Sequence, residues 1–207
     1  MQGEEGNVEV PRETIMTLVI LYRVLVYPMY VPPRFPSSHL LIPHARFNFF
    51  HWSQFLRDIQ NGRDAHDGAF RATLFAVCAV VSARLRDGAL PDLPFLQDLL
   101  PPSYAQLLTT APTPEWFKTR AESLLPKDIL LASREFDNLR ATALLALLCI
   151  QNGDTEQLQG YLGNYSTMMI VSGFYDEARW EETLSEVQRQ ERRRLVSAFI
   201  FGLRNPR

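Results

Sequence analysis

Two stretches of this chain, residues 69–86 and 137–151, put apolar or small side chains on nearly every side of a helix. In the first, Phe70, Leu74, Val77, Cys78, Val81 and Leu85 recur at helical spacing, and Ala72, Ala76, Ala79 and Ala83 fill the remaining sides. The second carries Leu144, Leu145, Leu147 and Leu148 and closes at Asn152-Gly153. A helix that is apolar all round belongs inside a fold, with other helices laid over it. No segment alternates apolar and polar residues with strand composition, so the chain is predicted all-α, a helical bundle of packed helical hairpins.

Breakers and caps divide the rest. Residues 1–13 are polar and acidic and read as a flexible tail, followed by one helical domain over 14–207. Thr14 is a candidate cap for a helix that Pro28 stops. Residues 28–46 hold Pro28, Pro32, Pro33, Pro36 and Pro43, too many for a regular element, and read as a Pro-rich loop. A short helix over 52–60 ends at Asn61-Gly62. Pro91, Pro94, Pro101, Pro102 and Pro112 break residues 91–112 into short helices. Thr113-Pro114-Glu115 supplies a cap, a first-turn proline and a first-turn acid for a helix to about 125. Asp154 or Thr155 caps the next, to about 171, and Thr183 caps the last.

Charge and cysteine usage exclude several function classes. The formal net charge of −2 over 207 residues lacks the Lys and Arg excess that duplex binding requires. Cys78 and Cys149 lie in apolar helical runs, as buried reduced thiols would, and two thiols alone build no zinc site. Of the histidines, His39, His44 and His51 cluster in or beside the Pro-rich loop, with no His-Glu-x-x-His spacing. There is no Gly-rich phosphate loop and no Gly-x-Ser-x-Gly elbow. No catalytic residue, cofactor site or metal site is assigned. The apolar run at 15–27 follows four glutamates and is broken by Arg23, which fits neither a signal peptide nor a membrane span, so no membrane contact is expected.

Three groups of residues stand out. Glu191 falls on the inner face of the last helix, among Leu184, Val187 and Leu195. A carboxylate there needs a cation, and Arg194 on its flank or Arg140 on a facing helix are the candidates. The Arg192-Arg193-Arg194 triplet spreads over roughly 200° of helix surface and makes no single basic stripe. Met168, Met169, Phe174 and Trp180 are candidates to line a pocket for a small hydrophobic effector, against the plainer reading of core filler. Phe199, Phe201 and Leu203 surround the last turns on every side. They call for a covering surface: a protein partner, a second copy of the chain, or further sequence beyond Arg207.

Taken in order, these blocks resemble the regulatory middle region of fungal binuclear zinc-cluster transcription factors, the fungal-specific transcription factor domain. Leu18 to Pro28 is similar to that family's opening helix. His51-Trp52-Ser53-Gln54-Phe55-Leu56 is similar to its His-x-x-x-Phe-Leu block. Phe70 to Arg84 resembles its apolar helix ending in Ala-Arg. Asn138 to Phe174 resembles its helical hairpin with a Gly-Asp turn, and Glu191-Arg192-Arg193-Arg194-Leu195 its Arg-Arg-Leu motif. The resemblance implies a nuclear chain that controls transcription through ligand, intramolecular or protein contacts. It also implies that zinc and DNA contact reside in a separate cysteine-rich module, which these residues do not contain. Val196 stands where a Trp is usual. The alternatives are a stand-alone, cytoplasmic helical protein that binds or converts a hydrophobic metabolite, or a scaffold that dimerises through its last helix.

Overall fold

The computed structural model describes residues 10–26, 49–89 and 104–204, with side chains left out at 104, 105, 107 and from 198 onward. Among the described residues there are ten α-helices and no strand. The fold is an all-α helical bundle. Residues 1–9 of the expected tail and the whole Pro-rich segment at 28–46 lie outside the described residues.

The central element is α4 (Gly68–Arg86), capped by Asp67, whose carboxylate accepts from Phe70 N. It is long and apolar enough to meet a membrane-span criterion, but 72% of it is buried inside the bundle. Its alanines Ala72, Ala76, Ala79 and Ala83 are fully buried. Side chains this small let neighbouring helices approach on several sides at once. Four do so: α1 (Arg12–Leu25), α3 (Arg63–His66), α6 (Pro114–Leu124) and α8 (Phe136–Asn152). The second apolar stretch, α8, makes the broadest of these contacts. In it Leu139, Leu144 and Leu145 are fully buried, and Leu148 is nearly so. The cysteines follow the helices inward: Cys78 and Cys149 are free and buried, and burial raises the pKa of both thiols.

Gly153 ends α8 in the left-handed conformation, φ 70°, which a Cβ would disfavour. The chain then reverses into α9 (Thr155–Ser172), whose cap Asp154 accepts from Gln157 N. This α8–α9 pair is the expected hairpin. α9 ends at Gly173, φ 71°, where an added Cβ would meet the Arg179 guanidinium at 3.2 Å. Three shorter helices complete the set: α2 (Trp52–Gln60), α5 (Tyr104–Thr110) and α7 (Ile129–Ala132).

The last helix, α10 (Glu186–Arg204), starts two residues later than Thr183 would have it as its cap. Ser185 and Gln188 form a reciprocal cap there: Ser185 N donates to Gln188 Oε1, and Gln188 N donates to Ser185 Oγ. At the other end of the chain, Pro11 rather than Thr14 is the residue before α1, and Thr14 is buried in its first turn. Pro11 presets φ at the helix entrance, and no side chain caps the first-turn N–H groups.

Gly160 and Gly163 sit mid-helix on the exposed side of α9, and nothing lies within 4 Å of a Cβ built at either. Gly160→Ala and Gly163→Ala are each expected to stabilise the fold by about 0.5–1 kcal/mol through helix propensity. Thermal denaturation of the two variants checks this. A lower Tm in either would mean that this face of α9 is covered in solution.

Candidate functional site

The site grows from one carboxylate in the first turn of α8. Asp137 is 5% exposed and holds two guanidiniums. Its Oδ1 accepts from Arg140 Nη1, one helical turn on, at 2.5 Å, and its Oδ2 accepts from Arg63 Nη2 at 2.6 Å. Arg63 also reaches Asp67 at 2.7 Å and Asp58 at 3.1 Å, so α3 brings one cation to three acids. Burial works against the charge on Arg63, but Asp137, Asp67 and Asp58 outweigh it, and the net shift of its pKa is upward.

Arg140, 6% exposed, carries the network onward to α10. Its Nη2 lies 2.6 Å from Glu191 Oε2. The distance is that of an ion pair, but the N–H does not line up on that oxygen, and Nε has no acceptor among the described residues. The other Glu191 oxygen, Oε1, accepts from the backbone N–H of His51 at 2.6 Å. Glu191 is thus held between α8 and the residue that precedes α2, at 7% exposure. Two further contacts dock α10. Leu195 is fully buried, and its carbonyl accepts from the Tyr165 hydroxyl at 2.9 Å.

The three consecutive arginines part company as helix geometry requires. Arg193 pairs with Glu177 at 2.8 Å and Glu186 at 3.0 Å on the surface. Arg192 turns inward and stands over three rings, with its guanidinium carbon 5.3 Å from the centre of Phe136, 4.8 Å from Phe174 and 5.8 Å from Trp180. Phe136 and Phe174 meet edge to face, and Trp180 Nε1 donates to the Phe174 carbonyl at 3.0 Å, which fixes this aromatic seat. The pKa of Arg192 is lowered, chiefly by burial and then by the positive charges of Arg140 and Arg189, with Glu181 opposing.

These groups line a partly open cavity of about 540 Å³ between α2, α3, α4, α8 and α10, with the half-buried Phe136 and Val187 and the buried rings of Phe50, Phe55 and Phe70 also in its lining. Phe50 and Phe55 stack at 4.1 Å, and the Arg63 guanidinium lies over Phe70 at 4.5 Å. A second, wider cavity of about 770 Å³ lies between α1, α4 and α6. Its charges are largely engaged within the chain: Arg12 on Asp64 and on the Ile59 carbonyl, Arg71 on the carbonyls of Asp64 and Ala65, and Arg120 over the Trp116 ring.

Each residue singled out in the sequence has a place here. Arg140 and Glu191 come together, while Arg194 is a partly buried residue elsewhere on α10's surface. Met168, Met169, Phe174 and Trp180 are all buried, at 1%, 4%, 7% and 8% exposure, and none lines either of these two cavities. The Phe174 and Trp180 rings meet Arg192, and Met168 and Met169 belong to the hydrophobic core. The backbone at Phe199, Phe201 and Leu203 is helical, and their side chains lie outside the described residues. His39 and His44 also lie outside them, and no group of three or more His, Cys, Asp or Glu side chains is poised for a metal among the described residues.

Sequence reasoning missed Asp137, Arg63, Asp58 and Arg192. Local signals existed for two of the links, Asp137–Arg140 at i,i+3 and Arg63–Asp67 at i,i+4. Nothing in the sequence pointed across from Arg63 to Asp137, 74 positions away.

We find no match of this chain to a known family model, to a curated protein or to a solved structure.

Proposed function

We propose that this chain is the regulatory region of a nuclear transcription regulator similar to the fungal zinc-cluster factors, and that occupancy of the cavity beside Glu191 sets how firmly α10 is docked. The observation that carries the reading is a convergence. The His51 block, the helix opening at Phe70, the hairpin that begins at Asn138 and the Glu191 motif are separate in sequence, and each contributes a group to one charge network or to the cavity it borders. These are four of the five blocks on which the resemblance rests. α10 is docked by a buried carboxylate, by Leu195 and by the Tyr165 hydrogen bond, and an effector that binds better to one position of this helix would shift its population.

The test fuses the chain to an unrelated DNA-binding module upstream of a reporter and compares wild type with Glu191→Gln. The amide keeps the shape and removes the charge that holds Arg140, so reporter output is expected to change by at least about threefold, which corresponds to well under 1 kcal/mol of population shift. Output equal to that of the DNA-binding module alone, in both wild type and variant, would sink the reading.

A further inference from the structure

Resting on that effector-site reading, the geometry points to a small organic carboxylate with a flat apolar body as the ligand class of the cavity, its carboxylate held between Arg140 and Arg192.

A formal count of the wall would suggest the opposite. Asp58, Glu135, Asp137 and Glu191 stand against Arg63, Arg140 and Arg192, one negative charge in excess. What matters is which of these groups still has bonding capacity. On the acid side, Asp58 accepts from Gln54 and Arg63, Asp137 from Arg140 and Arg63, and Glu191 from the His51 amide while pairing with Arg140. All six of these oxygens are engaged. Glu135 is solvent-exposed at the rim.

On the basic side, only Arg63 is used up, by its three aspartates. Arg140 is buried, yet its Nε has no acceptor and its Nη2 is misaligned on Glu191. A buried N–H without an acceptor costs about 1–3 kcal/mol, more on a charged group. Arg192 makes no ion pair and no hydrogen bond among the described residues; it rests on aromatic rings, with the charge of Glu181 acting on it from beyond ion-pair distance. Both guanidiniums stand at the same Phe136 ring, 4.5 Å and 5.3 Å from its centre, close enough for the charge of Arg140 to act on Arg192. They also repel each other, and an anion between them relieves that repulsion. A guanidinium presents paired N–H groups that match a carboxylate in geometry as well as in charge.

The rest of the wall sets the body of the ligand. The half-buried Phe136 and Val187 offer apolar surface, and about 540 Å³ falls in the roughly 300–1,000 Å³ range of small-molecule sites. A cation entering the same space would find aromatic faces already covered by arginines and carboxylates already paired.

The test titrates the full chain by calorimetry with three probes of one shape: phenylacetate, phenylacetamide and phenethylamine. Phenylacetate is expected to saturate with a Kd of about 1 mM or tighter, with the amide and the amine at least about tenfold weaker. Arg192→Gln is expected to weaken phenylacetate at least about tenfold while leaving the cooperative thermal melt in place, and Arg192→Lys to fall between, because it keeps the charge and loses the fork. Tight binding of the amine or the amide, or an Arg192→Gln variant that binds the acid normally, overturns the carboxylate assignment and leaves the effector cavity standing. No saturable binding by any of the three overturns both. Failure of the reporter test with carboxylate binding intact removes the regulatory reading alone.

Discussion

Arg140→Met is expected to lower the stability of the fold by about 3–5 kcal/mol, because it takes a shared cation from two buried carboxylates, leaving Glu191 with only the His51 amide and Asp137 with Arg63 alone. Asp137 and Glu191 are 5% and 7% exposed, and Arg140 is the partner they share. Deleting one member of a buried pair leaves an uncompensated charge in a medium that solvates it poorly. Set against a total of roughly 5–15 kcal/mol for a domain, this is about a fifth of the stability or more. Urea denaturation measures it. The same change in an Asp137→Asn, Glu191→Gln background should cost much less, since neutral amides need no counter-charge. Glu191→Gln alone should be milder than Arg140→Met, because Asp137 still holds Arg140. The coupling between positions 140 and 191 in a double-mutant cycle should fall at about 0.5–3 kcal/mol. A loss below about 1 kcal/mol for Arg140→Met would place the network at the level of exposed ion pairs and defeat the argument.

The second large effect lies on the opposite side of α4. Phe117→Ala is expected to cost about 3–5 kcal/mol. α6 buries only Pro114, Phe117 and Ala121, so Phe117 is its one large apolar anchor, and it is fully buried. Its ring meets Trp116 edge to face at 5.2 Å and Phe75 at 6.2 Å, and such ring pairs add about 0.5–1.5 kcal/mol beyond the area they bury. Phe117→Leu keeps most of the volume and should cost less than about 1.5 kcal/mol. Hydrogen exchange should show residues 114–124 losing protection first in the alanine variant, as a subglobal opening. If the two variants destabilise equally, the anchor argument fails.

Much of the bundle was legible because its signals are local. Thr113-Pro114-Glu115 marks a helix start that the structure places at Pro114, with Thr113 Oγ accepting from Trp116 N. Residues 52–60 were predicted to the residue, and the glycines at 62, 153 and 173 end helices as left-handed residues. What was missed is short or reciprocal. α3 and α7 are four residues each, too short for a periodic signal. The start of α10 went to Thr183 because a lone hydroxyl was read without its glutamine partner three residues on. The buried position of Glu191 could be read from its place among Leu184, Val187 and Leu195. Its second partner could not, because it is the main-chain amide of His51, which no side-chain pattern reveals. Arg192 was hidden in a triplet that reads as surface, and only the rings gathered around it from three separate segments give it a different setting.

The contact between His51 and Glu191 also has a meaning in time. It joins positions 140 residues apart. At synthesis rates of about 5–20 residues per second, Glu191 is made roughly 7–28 s after His51. Through that interval α4, α6 and α8 can already pack, with Arg140 paired to Asp137 but not yet to the last helix. The nascent chain therefore passes through a stage in which most of the bundle exists and its closing carboxylate does not.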